Sequence, residues 1–588
     1  MPGCYADLGM RREAGSQRAL VRGLAMCALA TATALVVAAV APAGPLAPPP
    51  RPNVVVLMTD DQTLEQMKAL PRTQALIGDA GATFPNNFVT FPLCCPSRAS
   101  FLTGQYPHNN RVLENYPPRG GFQNLNSDET LAVWLSRAGY FTGQIGKLMN
   151  GYNTSPVGVP PGWSEWHGEK TENRYYGYQL YENGEPVTYG DPDENPDDPA
   201  DPESYSTDVY TDKAVDFITA RAPIADPFFL WVSYNAPHSG QPDPPPEVHS
   251  LCRGNAKPAQ RHLGAFADEP LPRPPSFAEA DVSDKPRSLR RAEPFDEADA
   301  GAIERLYRCE LASLLAVDEG VERIVEALAA SGELDNTVLV FTSDNGFYHG
   351  EHRISFGKNR VYEEAIRVPL LIRGPGIESG TRVEELVANI DLAPTILDYA
   401  DAQAGVPQDG RSLLPIAAGP ERLRGREILI DTNTYKAIRT PRYVYVEHFA
   451  RADSGERELY DLRRDPFQLA SKHDVDRYDD VRRALADRLD RLRRCDGAEC
   501  RPRVRLTLGV ESCEPRFVVL EVRGGEAESL VEARFMVHGK GVRRDRGAPF
   551  RARLPLRRLG RGKSPVEAEA TLIDGRRVTI SRRVRCPR

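Results

Sequence analysis

Apolar residues along this chain gather into short dense runs, and the stretches between them carry a helical period. Asn53-Val54-Val55-Val56-Leu57-Met58-Thr59-Asp60 is β-branched, continuous and closed by polar residues, which predicts a strand covered on both faces. Phe228 to Val232 and Thr337 to Thr342 read the same way. Between them, Thr130 to Ala138, Asp208 to Thr219 and Glu304 to Ser331 predict helices. The last has a stripe at Leu311, Leu314, Leu315, Val317, Val321, Ile324, Val325 and Leu328. Buried strands alternating with helices predict an α/β sandwich.

Two Pro- and Asp-rich segments, Gly190 to Pro202 and Gln241 to about Pro294, have no period to bury and predict surface loops. A smaller block, Val406 to Arg494, holds strand-like Tyr443 to Val446 and helical Val481 to Leu492. From Arg503 the pattern alternates as strands: Val504 to Leu508, Arg516 to Val522 and Val578 to Ile580, with a hairpin signal at Asp574-Gly575. The expected organisation is an export signal over 1–43, a Pro-rich spacer over 44–52, an α/β domain over 53–405, an α+β subdomain over 406–500 and an all-β module over 501–588.

Length and charge support that division. At 588 residues the chain exceeds one ordinary domain. Its net charge of -8 conceals an asymmetry, because residues 501–588 carry 22 Lys+Arg against 10 Asp+Glu. Such a basic module offers a surface for an anionic polysaccharide or cell envelope, or a merely solvated Arg-rich face. The N-terminus places Arg11, Arg12, Arg18 and Arg22 before an Ala-rich apolar run, Leu24 to Val40, and the small residues Ala41-Pro42-Ala43. That order predicts a secretion signal; a retained membrane anchor is the alternative, and the weak hydrophobicity of Ala favours cleavage.

Export permits disulfides. Setting aside Cys4, Cys27, Cys94 and Cys95 leaves six cysteines, which admit 15 pairings; the expected set is Cys252 with Cys309, Cys495 with Cys500 and Cys513 with Cys586. An exported chain without a nucleic-acid-reading motif is not expected to bind nucleic acid.

Two polar pairs sit where predicted strands end: Asp60-Asp61, and Asp344-Asn345 before Gly346. Ligands of open α/β sheets gather at those ends. Three carboxylates and an amide oxygen make an oxygen-only set suited to Ca²⁺ or Mg²⁺. Either pair alone reads more often as a plain turn. Cys94-Cys95-Pro96-Ser97-Arg98, followed by Thr103-Gly104, reads on composition as a buried thiol pair or a metal loop.

That loop resembles the signature of the sulfatase family. The order Asp60-Asp61, Cys94 to Gly104, Gly146-Lys147, His238, Asp344-Asn345-Gly346, Lys358 is similar to the family from about Pro52 to Ala470. Within it the chain looks most like the N-acetylglucosamine-6-sulfatase and heparan-6-O-endosulfatase branch. The matching text is Pro92 to Arg98, Gln105-Tyr106-Pro107-His108-Asn109, Ala236-Pro237-His238, Asp281 to Pro286, Ser313 to Glu319 and Glu458 to Leu462.

The resemblance implies an alkaline-phosphatase-like α/β/α sandwich with a large mixed sheet, and a sulfate-ester hydrolase acting on a sulfated sugar or aryl sulfate, with 6-O-sulfated glucosamine glycans as the expected substrate. It implies that Cys94 is oxidised to formylglycine by a maturation enzyme. Hydrated, that residue attacks sulfur with one hydroxyl and expels sulfate with the other. Asp60, Asp61, Asp344 and Asn345, with residue 94 itself, would hold the cation. Arg98 would orient residue 94, Lys147 and Lys358 would bind sulfate, and His238 would protonate the leaving sugar.

Three positions depart from the family or stay open. Met149 stands where many members have a His, so the base for sulfate expulsion is unassigned. Ala278 stands where near members have Asn. His352 is read as either pocket lining or a loop cap. A phosphonate or phosphate ester hydrolase of the same superfamily, and a non-catalytic glycan-binding protein with unconverted Cys94, are the competing functions.

Overall fold

The run Asn53–Asp60 becomes an inner strand of a ten-stranded mixed sheet in a computed structural model of the chain. The structure describes residues 51–588 except 155–157, 192–194, 196–198, 200, 241–242, 244–249, 415–425, 502–505, 525–529, 560–563, 573–576 and 587–588. The expected export signal, most of the Pro-rich spacer, Val504-Arg505 and the Asp574-Gly575 turn lie outside the described residues. Among the described residues, no helix is long and apolar enough to cross a membrane.

Asn53–Asp60 pairs in parallel with Phe228–Pro237 on one side and Thr337–Ser343 on the other. Phe141–Gly146 and then Glu165–Glu169 continue the parallel set, and antiparallel strands Tyr178–Glu182 and Glu185–Tyr189 finish that edge. Alternate side chains of the middle strands enter different cores, as a period of two requires. Val55, Leu57, Leu230, Val232, Leu339 and Phe341 pack under helices Ser206–Arg221 and Glu297–Ala330. Val54, Val56, Phe229, Trp231, Val338 and Val340 face the other layer, with Ala99, Phe101, Leu131 and Ile396.

The helix expected from Glu304 begins earlier, at Glu297, and runs to Ala330. Asp296 accepts from the Asp299 amide while the Asp299 carboxylate accepts from the Asp296 amide, so reciprocal capping starts the helix about two turns before Glu304. The segment 250–294, expected as surface loops, is anchored instead. Cys252 is joined to Cys309, Ala256 and Ala259 enter the core, and Lys285 is fully buried. Lys285 Nζ pairs with Glu279 Oε1 at 2.9 Å and donates to the Leu469 carbonyl at 2.9 Å, which replaces the lost hydration.

Beyond the large sheet, Ile428–Asp431, Tyr435–Arg439, Tyr443–His448 and Arg457–Asp461 form a four-stranded antiparallel sheet. Helix Asp479–Leu492 packs Val481, Leu485 and Leu489 into the same core. The C-terminal residues form a three-stranded and a four-stranded antiparallel sheet around Leu520, Phe535, Ala568 and Val584. Cys513–Cys586 ties the first strand of this module to its last residues. Closing so long a loop contributes on the order of 4 kcal/mol. The third bond joins Cys495 to Cys500, and Cys94 and Cys95 are both free and buried.

Candidate active site

Because the central strands run parallel, their carboxyl ends share one edge. Asp60 ends the strand Asn53–Asp60, Asp344 follows Thr337–Ser343, Lys147 follows Phe141–Gly146, and His238 follows Phe228–Pro237. Gly146 permits the turn that delivers Lys147. Its φ is 87°, and a Cβ there would stand 2.2 Å from the Ser233 carbonyl oxygen. The Lys147 amide donates to that same carbonyl at 3.0 Å.

Cys94 arrives from the opposite direction as the first residue of helix Cys94–Thr103, after an extended Leu93. The positive end of the helix dipole therefore points at whatever residue 94 carries. Cys94 Sγ lies 2.9 Å from Lys358 Nζ, 3.5 Å from Asp60 Oδ1 and 4.0 Å from Lys147 Nζ. Lys147 is ion-paired with Asp60 and donates to Asn173 Oδ1 at 3.1 Å, while Lys358 is ion-paired with Asp61. His238 Nε2 stands 3.7 Å from Asp61 Oδ2, and its Nδ1 lies 2.7 Å from the Ser239 carbonyl.

Asp60, Asp61, Cys94 and His238 each offer a ligand atom, all within 4.8 Å of one another. Asn345 Nδ2 donates to Asp61 Oδ1 at 2.6 Å, which turns the amide oxygen the other way. That oxygen, Asn345 Oδ1, is buried and has no hydrogen-bond partner among the described residues. The unpartnered buried amide oxygen of Asn345 and the clustered carboxylates are hard oxygen donors, the chemistry that a divalent cation of this kind takes.

The electrostatics agree with this arrangement. Burial alone would push the Asp60 carboxyl up, yet Lys147, His238, Arg98 and Lys358 hold it well below the usual range. Burial and then the charge of Asp60 push Asp344 up. Burial, followed by Asp60, pushes the Cys94 thiol up, so the unmodified side chain is a neutral thiol and a poor nucleophile. Burial works against the charge on Lys147 and Lys358, but Asp60 and Asp61 respectively raise both above the usual range.

Arg98 is expected to orient residue 94 and its charge, and the structure places it on the carboxylates beside that residue. Four residues beyond Cys94 on the same helix, it is fully buried against the carboxylates rather than against residue 94. Its Nε donates to Asp344 Oδ2 at 2.7 Å, its Nη1 donates to Ser233 Oγ at 2.6 Å and the Lys147 carbonyl at 2.9 Å, and its Nη2 is 3.5 Å from Asp60. Arg98 also feels the charge of residue 94 directly, alongside those of Asp344 and Asp60. Cys95 points away from the site, where its Sγ accepts from the Asn150 amide at 3.2 Å.

Met149 is buried in the apolar layer beneath the site, so no base comes from that position. His352 is fully buried away from the site, with Nδ1 2.7 Å from Glu279 Oε2 and its ring stacked on Tyr362 at 4.0 Å. Ala278 adopts φ 46°, the left-handed region that Asn tolerates better than Ala, which explains what an Asn gains at this position.

Two residues near the site carry no signal in the sequence. Asn173, itself left-handed at φ 57°, catches Lys147. Glu169 ends the strand beside Phe141–Gly146 and accepts from Asn235 Nδ2 at 2.9 Å. Burial pushes its carboxyl up to about 7 against the pull of Lys147.

A family model described as Sulfatase matches residues 52–402, and one described as N-sulphoglucosamine sulphohydrolase, C-terminal, matches residues 350–495. Human N-acetylglucosamine-6-sulfatase is 34% identical over 505 residues, covering 77% of this chain and 86% of its own. The extracellular sulfatase SULF-1 homolog of Drosophila melanogaster is 36% identical over 382 residues, 63% of this chain and 32% of its own. A solved structure of a protein in complex with its substrate D-glucosamine-2-N,6-O-disulfate shares the fold, with a TM-score of 0.59 at 24% identity over 77% of this chain and 98% of that one. Both the extent of the Sulfatase match and the likeness to a full-length relative lead to one assignment: the chain belongs to the sulfatase family and is a sulfuric ester hydrolase.

Proposed function

We propose that this sulfatase is exported and removes the 6-O-sulfate of glucosamine-type glycans, using formylglycine made from Cys94 and a Ca²⁺ ion held by Asp60, Asp61, Asp344 and Asn345. The observation that carries the chemistry is the placement of Cys94 Sγ at a helix N-terminus, within 4.0 Å of both Lys147 and Lys358 and facing Asp60. The sugar is supported by the relatives: the human one is an N-acetylglucosamine-6-sulfatase, and the solved one is bound to a glucosamine disulfate. Export is supported by the N-terminal signal pattern and by the extracellular sulfatase among the relatives.

Each side chain has a task its position suits. Lys147 and Lys358 flank residue 94 as ammonium groups, so a sulfate brought to that residue meets two fixed cations whose attraction strengthens as charge moves onto its oxygens. His238, with Nδ1–H donating to the Ser239 carbonyl, presents Nε2 to the site. Nε2 stands 3.7 Å from Asp61 Oδ2, and as a general acid its proton would go to the departing sugar oxygen. Arg98 pairs with Asp60 and Asp344 in a fully buried setting, which holds both carboxylates in place. When bound, the divalent ion would neutralise the carboxylates and the sulfate oxygens and favour the deprotonated hydroxyl of hydrated residue 94. Ca²⁺ suits this irregular set better than Mg²⁺, which demands near-octahedral geometry.

Release of sulfate from N-acetylglucosamine-6-sulfate, compared with cleavage of aryl sulfate and aryl phosphate esters, tests the reaction. Faster phosphate cleavage would overturn the sulfate assignment. Peptide mass analysis across residue 94 tests the nucleophile, and an unmodified thiol in turning-over enzyme would overturn it.

A further inference from the structure

We propose that the exposed ring of Tyr116 is a binding platform for the sugar ring joined to the sulfated glucosamine, so that the site grips more of the glycan than the residue it desulfates. This rests on the glycan reading of the substrate and adds that a chain, rather than a single sugar, is the preferred form. Tyr116 is 54% exposed. Its tip is nevertheless fixed, because the hydroxyl donates to Glu172 Oε2 at 3.1 Å and accepts from Asn150 Nδ2 at 3.2 Å. An isolated apolar side chain on a surface is ordinary. A ring held by two hydrogen bonds with its face left bare is not, because it has been ordered without the burial that normally offsets the lost freedom.

The loop beneath the ring is tied down in the same way. The Leu113 amide donates to the Arg119 carbonyl at 2.8 Å and the Gly121 amide to the Glu114 carbonyl at 2.9 Å, which closes a short tongue. At its neck a Cβ on Gly120 would stand 1.7 Å from the Glu114 carbonyl oxygen. Glu114 Oε1 accepts from Asn433 Nδ2 at 2.8 Å, and Asn115 Oδ1 accepts from the Cys95 amide at 2.9 Å. Little freedom is left for the ring to lose when a ligand stacks on it.

These anchors lead straight to the chemistry. Asn115 holds the residue next to Cys94, and Asn150 Oδ1 accepts from Cys95 Sγ at 3.3 Å. Glu172 adjoins Asn173, which catches Lys147 at 3.1 Å. Burial of the Tyr116 tip, then the charge of Glu172, push its hydroxyl up while Lys147 pulls it down, so the ring stands within reach of a charge that grips sulfate. With sulfate at residue 94, the next ring of the chain passes over the Lys147 side of the opening, where Tyr116 waits. The Glu172 carboxylate is taken up by Tyr116, Asn150 and the Gly151 amide at 2.8 Å, which leaves the aromatic face for contact. That negative face suits the C–H edge of a pyranose, and tyrosine offers such area at low entropic cost.

The test compares the full-length wild type with Tyr116→Ala and Tyr116→Trp, neither of which empties a core. The probes are N-acetylglucosamine-6-sulfate, 6-O-sulfated chitotetraose and unsulfated chitotetraose, with sulfate release measured on the first two and binding by calorimetry on the third. Tyr116→Ala is expected to raise KM for the sulfated tetrasaccharide and Kd for the unsulfated one by about fivefold to tenfold, with kcat unchanged. Its KM for the monosaccharide should stay within about twofold, and Tyr116→Trp within about threefold of wild type on every probe. A merely structural role would move monosaccharide and tetrasaccharide alike, and that result overturns the proposal. So does an unchanged tetrasaccharide KM, or no binding of unsulfated chitotetraose by the wild type. Failure of the wild type to release sulfate from either sulfated probe would instead overturn the substrate reading, while the calorimetry still decides the platform.

Discussion

The catalytic body and the β module hold their charge pairs in opposite ways. In the body, Arg98 joins Asp60 and Asp344 with all three side chains sealed from solvent, and the partners come from distant parts of the sequence. In the module, Arg553 meets Glu514, Arg546 meets Glu532 and Arg523 meets Glu521 on open strand faces. A buried ion that loses its partner keeps the full cost of desolvation, whereas an exposed one is rehydrated at once. Identical residue types are therefore indispensable in one region and replaceable in the other.

The contrast can be broken most sharply at the nucleophile. Cys94→Ala should drop sulfate release below detection, while Cys95→Ala should retain turnover and lose about 1–3 kcal/mol of stability for its buried sulfur contacts. Comparable turnover by wild type and Cys94→Ala would sink the assignment. Next in size, Arg98→Leu should destabilise the metal-free protein by about 3–5 kcal/mol in denaturant unfolding, because Asp60 and Asp344 remain buried without their cation.

Glu169 sharpens the comparison through pH. Burial raises its carboxyl from the usual 4.5 to about 7, so its contribution to stability is complete below pH 4.5 and is lost as pH rises through about 7. Glu169→Gln should remove a downward slope worth a few kcal/mol across that window. Parallel stability–pH curves for both proteins would refute it. Ala278→Asn should add about 0.5–1 kcal/mol by relieving a left-handed alanine, read from the thermal midpoint. Smallest of all, Arg553→Ala on the module surface should change stability by no more than about 0.5 kcal/mol.

How much was legible in the sequence follows the same division. Strands such as Asn53–Asp60 announce themselves because both faces are apolar, and the order of site residues along the chain is that of the family. Buried polar residues give no such notice. Lys285 and Glu279 look like loop charges until their partners arrive from elsewhere in the fold. The start of helix Glu297–Ala330 was hidden because its first turn has capping carboxylates and no apolar stripe. Arg98 was partly readable, since four residues from Cys94 on a helix means the same face. What it touches there depends on strands remote in sequence. Asn173 and Glu169 offered no pattern, because their importance comes from lying beside Lys147.

The helix that carries Cys94 imposes an order of events on the life of the molecule. Residue 94 is only 1% exposed, and Cys95 is sealed behind it. On the proposed conversion of Cys94 to formylglycine, a side chain so enclosed would have to be oxidised in the extended chain, before the sheet closes around it. Folding and activation are then competitors: a chain that folds first is native, stable and permanently inert. Substitutions that hasten collapse would lower the yield of active enzyme even as they raise the yield of folded protein.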